Sequence, residues 1–526
     1  MIKSTFIFIP GVGKKTEERF WEKGILTWDD LKKCVNGLTR IKRKIVCDYL
    51  ERANIALSRC DASFFAKHLP QREYWRVYNE FRTKTLYLDI ETTGLSLYYD
   101  RITLIGTFDG HKYRIFLRDV NLPEFKDYLR NYEVIVTFNG KLFDIPFIRK
   151  EFPRLKLPPL HIDLKYILRG FGITGSLKEV EEKLGIQRPK YVREVNGRGA
   201  AVLWNKFIRG DDEALRKLIM YNIQDTVNLQ TIMHICYQKK IEEIESKMDS
   251  SPQQKLINAE NRKINYYLPP LNFNIPDVVI RRLKDGLLEV HSNNEVIIRI
   301  NRSKIKKTNI KIEELLQKIR NNGYTPISVG IDLSASEKRK SGICILKDKV
   351  AYLDVVRTDE EIVSKVMEAE PTVISIDSPL SLPKGRCCAD DSCECRKYGI
   401  TRECERILKK RGINVYPCLI KSMQKLTMRG IKLAKLLERQ GYEVIESYPG
   451  AAQDILGLPR KRIDLRELEV DLVNMGIEPV SSRKTVTHDE IDALTSALVG
   501  YFYLAGSYEA VGNIDEGYLI IPELKK

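Results

Sequence analysis

The chain has 526 residues, which is too long for one hydrophobic core and predicts about three or four domains. Lysine and arginine (88) outnumber aspartate and glutamate (71), so the formal net charge of +17 favours a polyanionic partner, nucleic acid first, over a merely soluble basic protein. No apolar run approaches the roughly 18 residues of a membrane span, and no signal-peptide cleavage pattern is present, so we expect a cytoplasmic protein with no membrane partner.

Residues 1–62 are predicted to form a small helical domain. A tight Pro-Gly-Val-Gly turn at residues 10–13 opens a helix, and the first turn of that helix leaves backbone N–H groups that suit a phosphate. The stretch resembles the helix-hairpin-helix motif of DNA repair and replication proteins, which contacts the sugar-phosphate backbone without reading sequence. An ordinary helical packing role without a ligand is the alternative. The resemblance implies nucleic-acid binding by Gly11, Gly13, Lys14 and Lys15.

The next segment, residues 84–240, starts with a strand. Apolar and polar side chains alternate from residue 86 to 91, which predicts a strand with one buried face. Asp89 and Glu91 then point the same way, separated by roughly 7 Å, a span from which two carboxylates can flank metal ions about 4 Å apart. For these two residues alone, a core strand with a solvated acidic end is the alternative.

Two further acidic residues lie on predicted helices of this segment. Asp144 precedes Pro146 at the start of a helix, where it could also be an ordinary N-cap. Asp225 interrupts the apolar stripe of a later helix, and a buried carboxylate usually needs a metal or another partner. Tyr221 lies one turn earlier, close enough to hold a water beside Asp225. A satisfied polar residue at the helix margin is the alternative for Asp225.

Three motifs together extend this reading: DIETTGL at 89–95, FNGKLFD at 138–144 and YNIQD at 221–225. They resemble the motifs of the DnaQ-like 3′–5′ exonucleases in the DEDDy subclass, whose last motif is YxxxD, and within it the YprB-type RNase H-like family. The resemblance implies two Mg²⁺ or Mn²⁺ ions, in keeping with oxygen-only ligands. The implied metal ligands are Asp89, Glu91, Asp144 and Asp225, with Tyr221 orienting water and Asn139 and Lys141 contacting nucleic acid.

Residues 241–325 are predicted to be a connecting region of small α+β structure. The pattern indicates a hairpin with its turn at residues 292–294 and a short helix near residues 311–322. A basic run at residues 302–311 could touch phosphates or form a solvated face, and we assign the region no chemistry.

Residues 326–526 show a second strand-rich pattern, with acidic residues at the ends of three strands and on a helix that a capping box opens. The pattern resembles the domain of unknown function 429 family, a set of predicted RNase H-like nucleases. The alternative is that each acidic residue caps an element of a non-catalytic domain. The implied metal or catalytic candidates are Asp332, Asp377, Glu446, Asp489 and Asp492.

A cysteine-rich insert interrupts this second pattern. Crowded cysteines in a cytosolic chain favour metal or plain thiols over disulfides, although the regular CxxC pair of a zinc site is absent. Zinc and an iron-sulfur cluster both stay open, as do plain thiols. The candidate ligands are Cys387, Cys388, Cys393, Cys395 and Cys404.

These patterns predict an α/β protein, and the resemblances imply two RNase H-like domains, each a mixed central sheet flanked by helices, after a small helix-hairpin-helix segment. The expected function is metal-dependent hydrolysis of nucleic acid, with DNA favoured over RNA. The resemblance implies a 3′–5′ exonuclease of DNA repair or nucleic-acid processing. The alternatives are a nucleic-acid-binding adaptor with inactive nuclease folds, and an endonuclease centred on the C-terminal domain.

Overall fold

The computed structural model describes residues 1–35, 39–188, 197–248, 278–283, 287–292, 295–301, 311–458, 460, 465–481 and 486–523. It separates into two compact units. Unit 1 comprises Met1–Thr92 and Arg101–Lys306, and unit 2 comprises Thr93–Asp100 and Lys307–Lys526. The predicted turn residues 293–294 and most of the basic run, residues 302–310, lie outside the described residues.

The central sheet of unit 1 has five strands in the order β3-β2-β1-β4-β5. β1 pairs antiparallel with β2 and parallel with β4, while β3 is antiparallel to β2 and β5 parallel to β4. The central position of β1 agrees with its nearly complete burial. The strands are β1 (Thr85–Thr92), β2 (Ile102–Phe108), β3 (Tyr113–Leu117), β4 (Val134–Thr137) and β5 (Leu160–Asp163).

Helices cover both faces of this sheet. One face of β1 places Leu88 in a core cluster with Phe125 and Phe147, and the other face places Tyr87 in the core that contains Leu218. The helices of unit 1 are α1 (Lys14–Glu22), α2 (Trp28–Cys34), α3 (Arg40–Ser58), α4 (Ser63–His68), α5 (Phe125–Leu129), α6 (Asp144–Glu151), α7 (Leu164–Gly170), α8 (Leu177–Lys183), α9 (Gly197–Arg209) and α10 (Asp212–Met248).

The N-terminal helices belong to the same core as the sheet. The indole N–H groups of Trp21 and Trp28 donate to the carbonyls of Ser4 and Thr5, which holds α1 and α2 against the first residues of the chain. Three further strands form a separate antiparallel sheet in the order β6-β7-β8. Its apolar residues belong to the same core as α1 and α2. They are β6 (Val278–Arg282), β7 (Leu287–Ser292) and β8 (Glu295–Asn301).

Unit 2 contains an eight-stranded sheet in the order β14-β11-β10-β9-β12-β13-β16-β15. Five of its strands, in the order β11-β10-β9-β12-β13, repeat the order and the directions of the sheet in unit 1. The strands are β9 (Ile327–Asp332), β10 (Ser341–Lys347), β11 (Val350–Val356), β12 (Val373–Asp377), β13 (Val444–Ser447), β14 (Glu478–Ser481), β15 (Tyr508–Asn513) and β16 (Gly517–Pro522).

Helix α17 (His488–Leu504) lies against the centre of this second sheet. Thr487 and Glu490 form the predicted capping box at its start. It approaches β9 closely, because a Cβ atom built on Gly330 would lie 2.0 Å from the Ala493 carbonyl oxygen. The other helices described in unit 2 are α11 (Ile312–Asn321), α12 (Asp359–Ala369), α13 (Glu403–Lys410), α14 (Gln424–Arg439), α15 (Pro449–Leu456) and α16 (Leu465–Asn474).

The predicted fold class is confirmed: the structure is α/β, with mixed sheets flanked by helices. Among the described residues, no helix combines the length and apolar composition needed to cross a membrane.

Candidate active site

The strand β1 carries two of the predicted ligands on the face of the sheet that α10 covers. Asp89 lies opposite Gly106 of β2, and Glu91 lies opposite Leu104. The register shifts between Glu91 and Thr92, an irregularity that commonly accompanies active sites because it redirects a side chain. The alternation read from the sequence therefore places both carboxylates beside α10.

A third carboxylate joins them from α10. Asp89, Glu91 and Asp225 each place a carboxylate oxygen within 4.8 Å of the others. Asp144 is the first residue of α6 and is only 3 % exposed, and the N-cap of that helix is Phe143. It lies outside the 4.8 Å group but is near enough for its charge to raise the pKa of both Asp89 and Glu91.

Asn222 links the two carboxylates of β1. Its Nδ2 donates to Asp89 Oδ2 at 2.8 Å and to Glu91 Oε1 at 3.2 Å, and its Oδ1 accepts from the Tyr113 hydroxyl at 2.9 Å. The close approach depends on Gly106, where a Cβ atom would lie 1.6 Å from Asn222 Oδ1. A glycine on β2 therefore makes room for the residue that positions both acids.

Arg188 supplies the positive charge nearest to Asp225. Its Nη2 lies 2.6 Å from Asp225 Oδ1, and its Nε pairs with Glu181. The guanidinium carbon is 6.0 Å from the centre of the Tyr221 ring. Within the described residues, neither Asp89 nor Glu91 has a salt-bridge partner, so Arg188 compensates only part of the acidic cluster.

Burial and mutual repulsion make these carboxyl groups unusually basic. Desolvation raises the pKa of Asp89 and Glu91 well above the usual range, and their own and neighbouring charges add to it. Burial also raises the pKa of Asp144 to about 7 and that of Asp225 to about 6, the latter against the attraction of Arg188. The pKa of Tyr221 is raised by burial and by Asp225, so its hydroxyl stays protonated.

This donor set fits divalent metal ions. Buried carboxylates that repel one another, with only Asp225 paired to an arginine, bind a hard cation readily, because the cation removes the cause of the repulsion. All the donors are oxygens, which suit Mg²⁺ or Mn²⁺ better than zinc.

The predicted phosphate-binding turn lies at the start of α1. Gly13 is the N-cap residue, and Gly11 has a φ of +83°, a conformation that favours glycine. Lys15 is exposed, whereas Lys14 Nζ lies 2.5 Å from Glu73 Oε1.

The other predicted nucleic-acid contacts lie in the loop after β4. The backbone N–H groups of Asn139 and Lys141 both donate to Asp163, at 2.8 Å and 3.0 Å. Lys141 Nζ lies over the Tyr166 ring. Lys14 and Lys141 both line one pocket of about 370 Å³.

The five predicted acids of unit 2 are arranged differently from those of unit 1. Asp332 and Asp377 lie opposite each other at the ends of the parallel strands β9 and β12. Asp489 is half-buried in the first turn of α17, and Asp492 Oδ1 accepts from Gln453. All five are described residues, and no three of them place ligand atoms within 4.8 Å of one another.

Glu446 of β13 is neutralised by an arginine. Arg402 Nη1 and Nη2 donate to the two carboxylate oxygens of Glu446 at 2.7 and 2.6 Å, and Arg402 is only 1 % exposed. The Leu380 N–H donates to the same carboxylate at 2.7 Å. Both oxygens of Glu446 are therefore occupied by protein donors.

Four of the five predicted cysteine ligands converge. Cys387, Cys388, Cys393 and Cys395 place their sulfurs within 4.8 Å of one another. Cys404 is buried apart from them, in an apolar cluster with Leu408.

The comparisons with known proteins agree with the fold of unit 1. Residues 86–237 match the model of the RNase_H superfamily, a range that runs from β1 through the part of α10 that carries Asp225. This part of the chain therefore has an RNase H-like fold. No curated protein matches the chain.

Several solved structures are similar to parts of the chain. One is Escherichia coli RNase D, an exoribonuclease involved in structured RNA processing, at 18 % identity and a TM-score of 0.22, covering 33 % of this chain. The chain spans 47 % of the length of that RNase D. Another is Brucella melitensis NrnC bound to pGG, at 15 % identity and a TM-score of 0.20, covering 36 % of this chain and 90 % of NrnC. A third is the family B DNA polymerase of the hyperthermophilic archaeon Pyrobaculum calidifontis, at 12 % identity and a TM-score of 0.25, covering 84 % and 53 %.

Sequence reasoning did not assign a role to Arg188 or Asn222. Asn222 was visible on the apolar stripe of α10, so a second polar residue one turn before Asp225 was a usable signal. Arg188 lies 37 residues before Asp225 in the numbering and belongs to no periodic pattern, so only the fold connects it to the site.

Proposed function

We propose that unit 1 is a two-metal 3′–5′ exonuclease of the DEDDy class, similar to the YprB-type enzymes. The observation that carries the proposal is the convergence of Asp89, Glu91 and Asp225 from β1 and α10. A protein that only binds nucleic acid would gain nothing from concentrated negative charge where phosphates approach. The proposal includes DNA as the preferred substrate and a cytoplasmic role in DNA repair or nucleic-acid processing.

The acidic cluster and Asp144 would hold two Mg²⁺ or Mn²⁺ ions. When bound, the ions would lower the pKa of an attacking water and stabilise negative charge at the phosphorus. The chain's own contribution is to position the ligands: Asn222 orients Asp89 and Glu91, and Arg188 orients Asp225. A ligand held by a second residue loses less freedom when it coordinates.

Tyr221 is proposed to orient the attacking water. It precedes Asp225 by one helical turn, and its protonated hydroxyl can donate a hydrogen bond while its oxygen accepts one. The residue thus adds directional contacts beside ligands that can only accept.

Nucleic acid would be held by the turn at Gly11 and Gly13 and by Lys15, in the manner of a helix-hairpin-helix motif. Backbone N–H groups at the start of α1 and an exposed lysine suit a phosphate irrespective of base sequence. Asn139 and Lys141 would contact the nucleic acid closer to Asp144, because they lie in the loop that leads to this residue.

Unit 2 is proposed to be a second RNase H-like domain related to the domain of unknown function 429 family, without a catalytic centre. The bidentate Arg402–Glu446 pair supports this, because it neutralises a carboxylate that a metal site would need free. An endonuclease centred on unit 2 is therefore the less favoured reading.

The experiment follows a 5′-labelled single-stranded DNA in Mg²⁺. The parent should shorten it progressively from the 3′ end, and Asp89→Asn should slow the reaction on the order of 1000-fold or more, because a metal ligand contributes several kcal/mol to the transition state. Asp127→Asn, which removes an exposed charge from α5, is the matched control and should keep the parental rate.

An Asp89→Asn protein that cuts at the parental rate contradicts the assignment. Covalently closed circular DNA separates the alternatives: an exonuclease spares it, whereas nicking indicates an endonuclease. A parent that binds DNA but cuts nothing in Mg²⁺ or Mn²⁺ would be an adaptor. An RNA of the same sequence tests the preference for DNA.

A further inference from the structure

We propose that Cys387, Cys388, Cys393 and Cys395 form a structural site for one zinc ion in unit 2. The site is independent of the acidic cluster and of the proposed nuclease activity. It would lie in the segment that joins β12 to α13.

The sulfur positions match a mononuclear tetrahedral centre. Cys387 Sγ lies 3.7 Å from Cys393 Sγ, and Cys388 Sγ lies 3.8 Å from Cys395 Sγ. Zinc bound to four sulfurs at about 2.3 Å requires neighbouring sulfurs about 3.8 Å apart. A disulfide would need about 2.05 Å, and all four cysteines are free thiols in the structure.

The local chain conformation brings Cys387 and Cys388 close to Cys393 and Cys395. Asp390 Oδ1 accepts hydrogen bonds from the N–H and the hydroxyl of Ser392, which turns the chain between the pairs. Cys393 is the N-cap of a short 3₁₀ helix at Glu394–Tyr398. The turn thus brings the sulfurs together although the sequence has no CxxC spacing.

A buried arginine beside Cys387 is only partly satisfied by the described residues. Arg386 precedes Cys387 and is 7 % exposed, and its Nη2 makes a hydrogen bond of 3.4 Å to the Asp390 carbonyl. Its Nε and Nη1 have no hydrogen-bond partner anywhere in the described part of the chain. The charge of Arg386 reaches the exposed Asp390 carboxylate, whose pKa it helps to lower. Zinc with four thiolates carries a net charge of minus two and would add a second counter-charge.

The geometry favours one metal ion over an iron-sulfur cluster. In a cluster with four irons each cysteine binds a different iron, which holds the sulfurs farther apart than a single ion does. With four protein sulfurs around one ion no coordination position is open, so the role is structural. Binding would release the thiol protons and form four zinc–sulfur bonds.

The ends of the segment are already anchored, so the metal would order its middle. Glu516 accepts the N–H of Lys384 at 2.8 Å and the N–H of Glu403 at 2.5 Å. Between these anchors, Arg396 and Lys397 are exposed sites for trypsin. We expect the metal to protect this stretch from cleavage.

The test measures metal in the full-length protein purified without added metal. One zinc per chain is expected by elemental analysis, and cobalt substitution should produce the visible absorption of a tetrahedral thiolate site. Cys393→Ser should lose the metal and gain rapid tryptic cleavage near Arg396. Cys34→Ser, which removes an exposed cysteine of unit 1, is the matched control and should keep the zinc.

The variant Asp89→Asn distinguishes zinc at the cysteines from zinc at the acidic cluster, and it should retain one zinc per chain. Should Cys393→Ser fail to fold, the parent alone decides: a mercurial that blocks thiols should release one zinc. A parent without zinc, with iron and inorganic sulfide, or with two disulfides in these four cysteines overturns the proposal.

Discussion

Units 1 and 2 share the order and directions of five strands, but Asp89 and Glu91 in unit 1 and Glu446 in unit 2 lie in opposite electrostatic surroundings. In unit 1, Asp89 and Glu91 of β1 have no salt-bridge partner among the described residues, and their pKa values are raised. In unit 2, Glu446 of β13 is held by two hydrogen bonds from Arg402.

The difference shows that acidic residues on strands acquire different chemistry from the groups around them. A carboxylate kept near others and away from cations is destabilised and can be stabilised by a metal. A carboxylate in a buried bidentate pair is already stabilised and mainly supports the fold. Each of the following predictions tests this contrast.

The largest effect on stability is expected from Arg402→Met. It leaves both Glu446 and Glu405, which Arg402 Nε contacts at 3.0 Å, buried without this counter-charge, so unfolding in urea should show a loss of about 3–5 kcal/mol. Arg320→Met, which removes one partner of an exposed pair with Asp348, should lose less than about 1 kcal/mol.

The double variant Arg402→Met with Glu446→Gln should recover part of the loss, because only Glu405 then remains as a buried carboxylate without its arginine. If Arg402→Met instead creates a new metal-dependent nicking activity, the contrast between the units fails and Glu446 belongs to a suppressed active site.

Gly106→Ala should reduce activity more than stability. The added methyl group collides with Asn222, so we expect a loss of roughly 1–3 kcal/mol in stability and a higher Mg²⁺ concentration for half-maximal cleavage. Gly330→Ala in unit 2 meets the Ala493 carbonyl and should lower stability while the folded enzyme keeps its Mg²⁺ requirement. Equal Mg²⁺ curves for the parent and Gly106→Ala would show that Asn222 does not position the ligands.

The stability of metal-free protein should depend on pH through the acidic cluster. Because the folded pKa values of Asp144 (about 7) and Asp225 (about 6) exceed the unfolded value, the folded state binds more protons and loses stability as pH rises from about 4 to 7. Asp89→Asn removes one repelling charge, so at pH 8 it should be more stable than the parent by roughly 1–2 kcal/mol.

Thermal unfolding of both proteins at pH 5 and pH 8 measures this effect, and the comparison cancels titrations elsewhere in the chain. Mg²⁺ should remove the advantage of the variant. A variant that is less stable than the parent at pH 8 without metal would mean that the cluster is not strained by repulsion.

The smallest effect is expected from Lys15→Gln. One lost phosphate contact should weaken DNA binding a few-fold for every sequence and reduce the salt dependence by about one ion. Lys435→Gln, which removes an exposed lysine from α14 of unit 2, is the control and should bind like the parent. Equal losses from both would indicate diffuse charge attraction and no phosphate site at α1.

Parts of the site could be predicted because their signals are local. The two-residue period of β1 aligned Asp89 with Glu91, and Asp225 was conspicuous as a charge on an apolar stripe. The period also predicted the α/β class. The strand after β1 was also predicted to be its hairpin partner, and β2 pairs with β1 in the structure. The parallel pairing of β1 with β4 had no such local signal, because the two strands are far apart in the sequence.

What the sequence determined by itself was the set of acidic residues, the elements that carry them and the crowding of cysteines, because each depends on residues a few positions apart. Only the tertiary structure decided which charges meet. Asp225 gained Arg188 and Glu446 gained Arg402 from 37 and 44 residues away, and Coulomb energy depends on distance and burial, which a linear order does not contain.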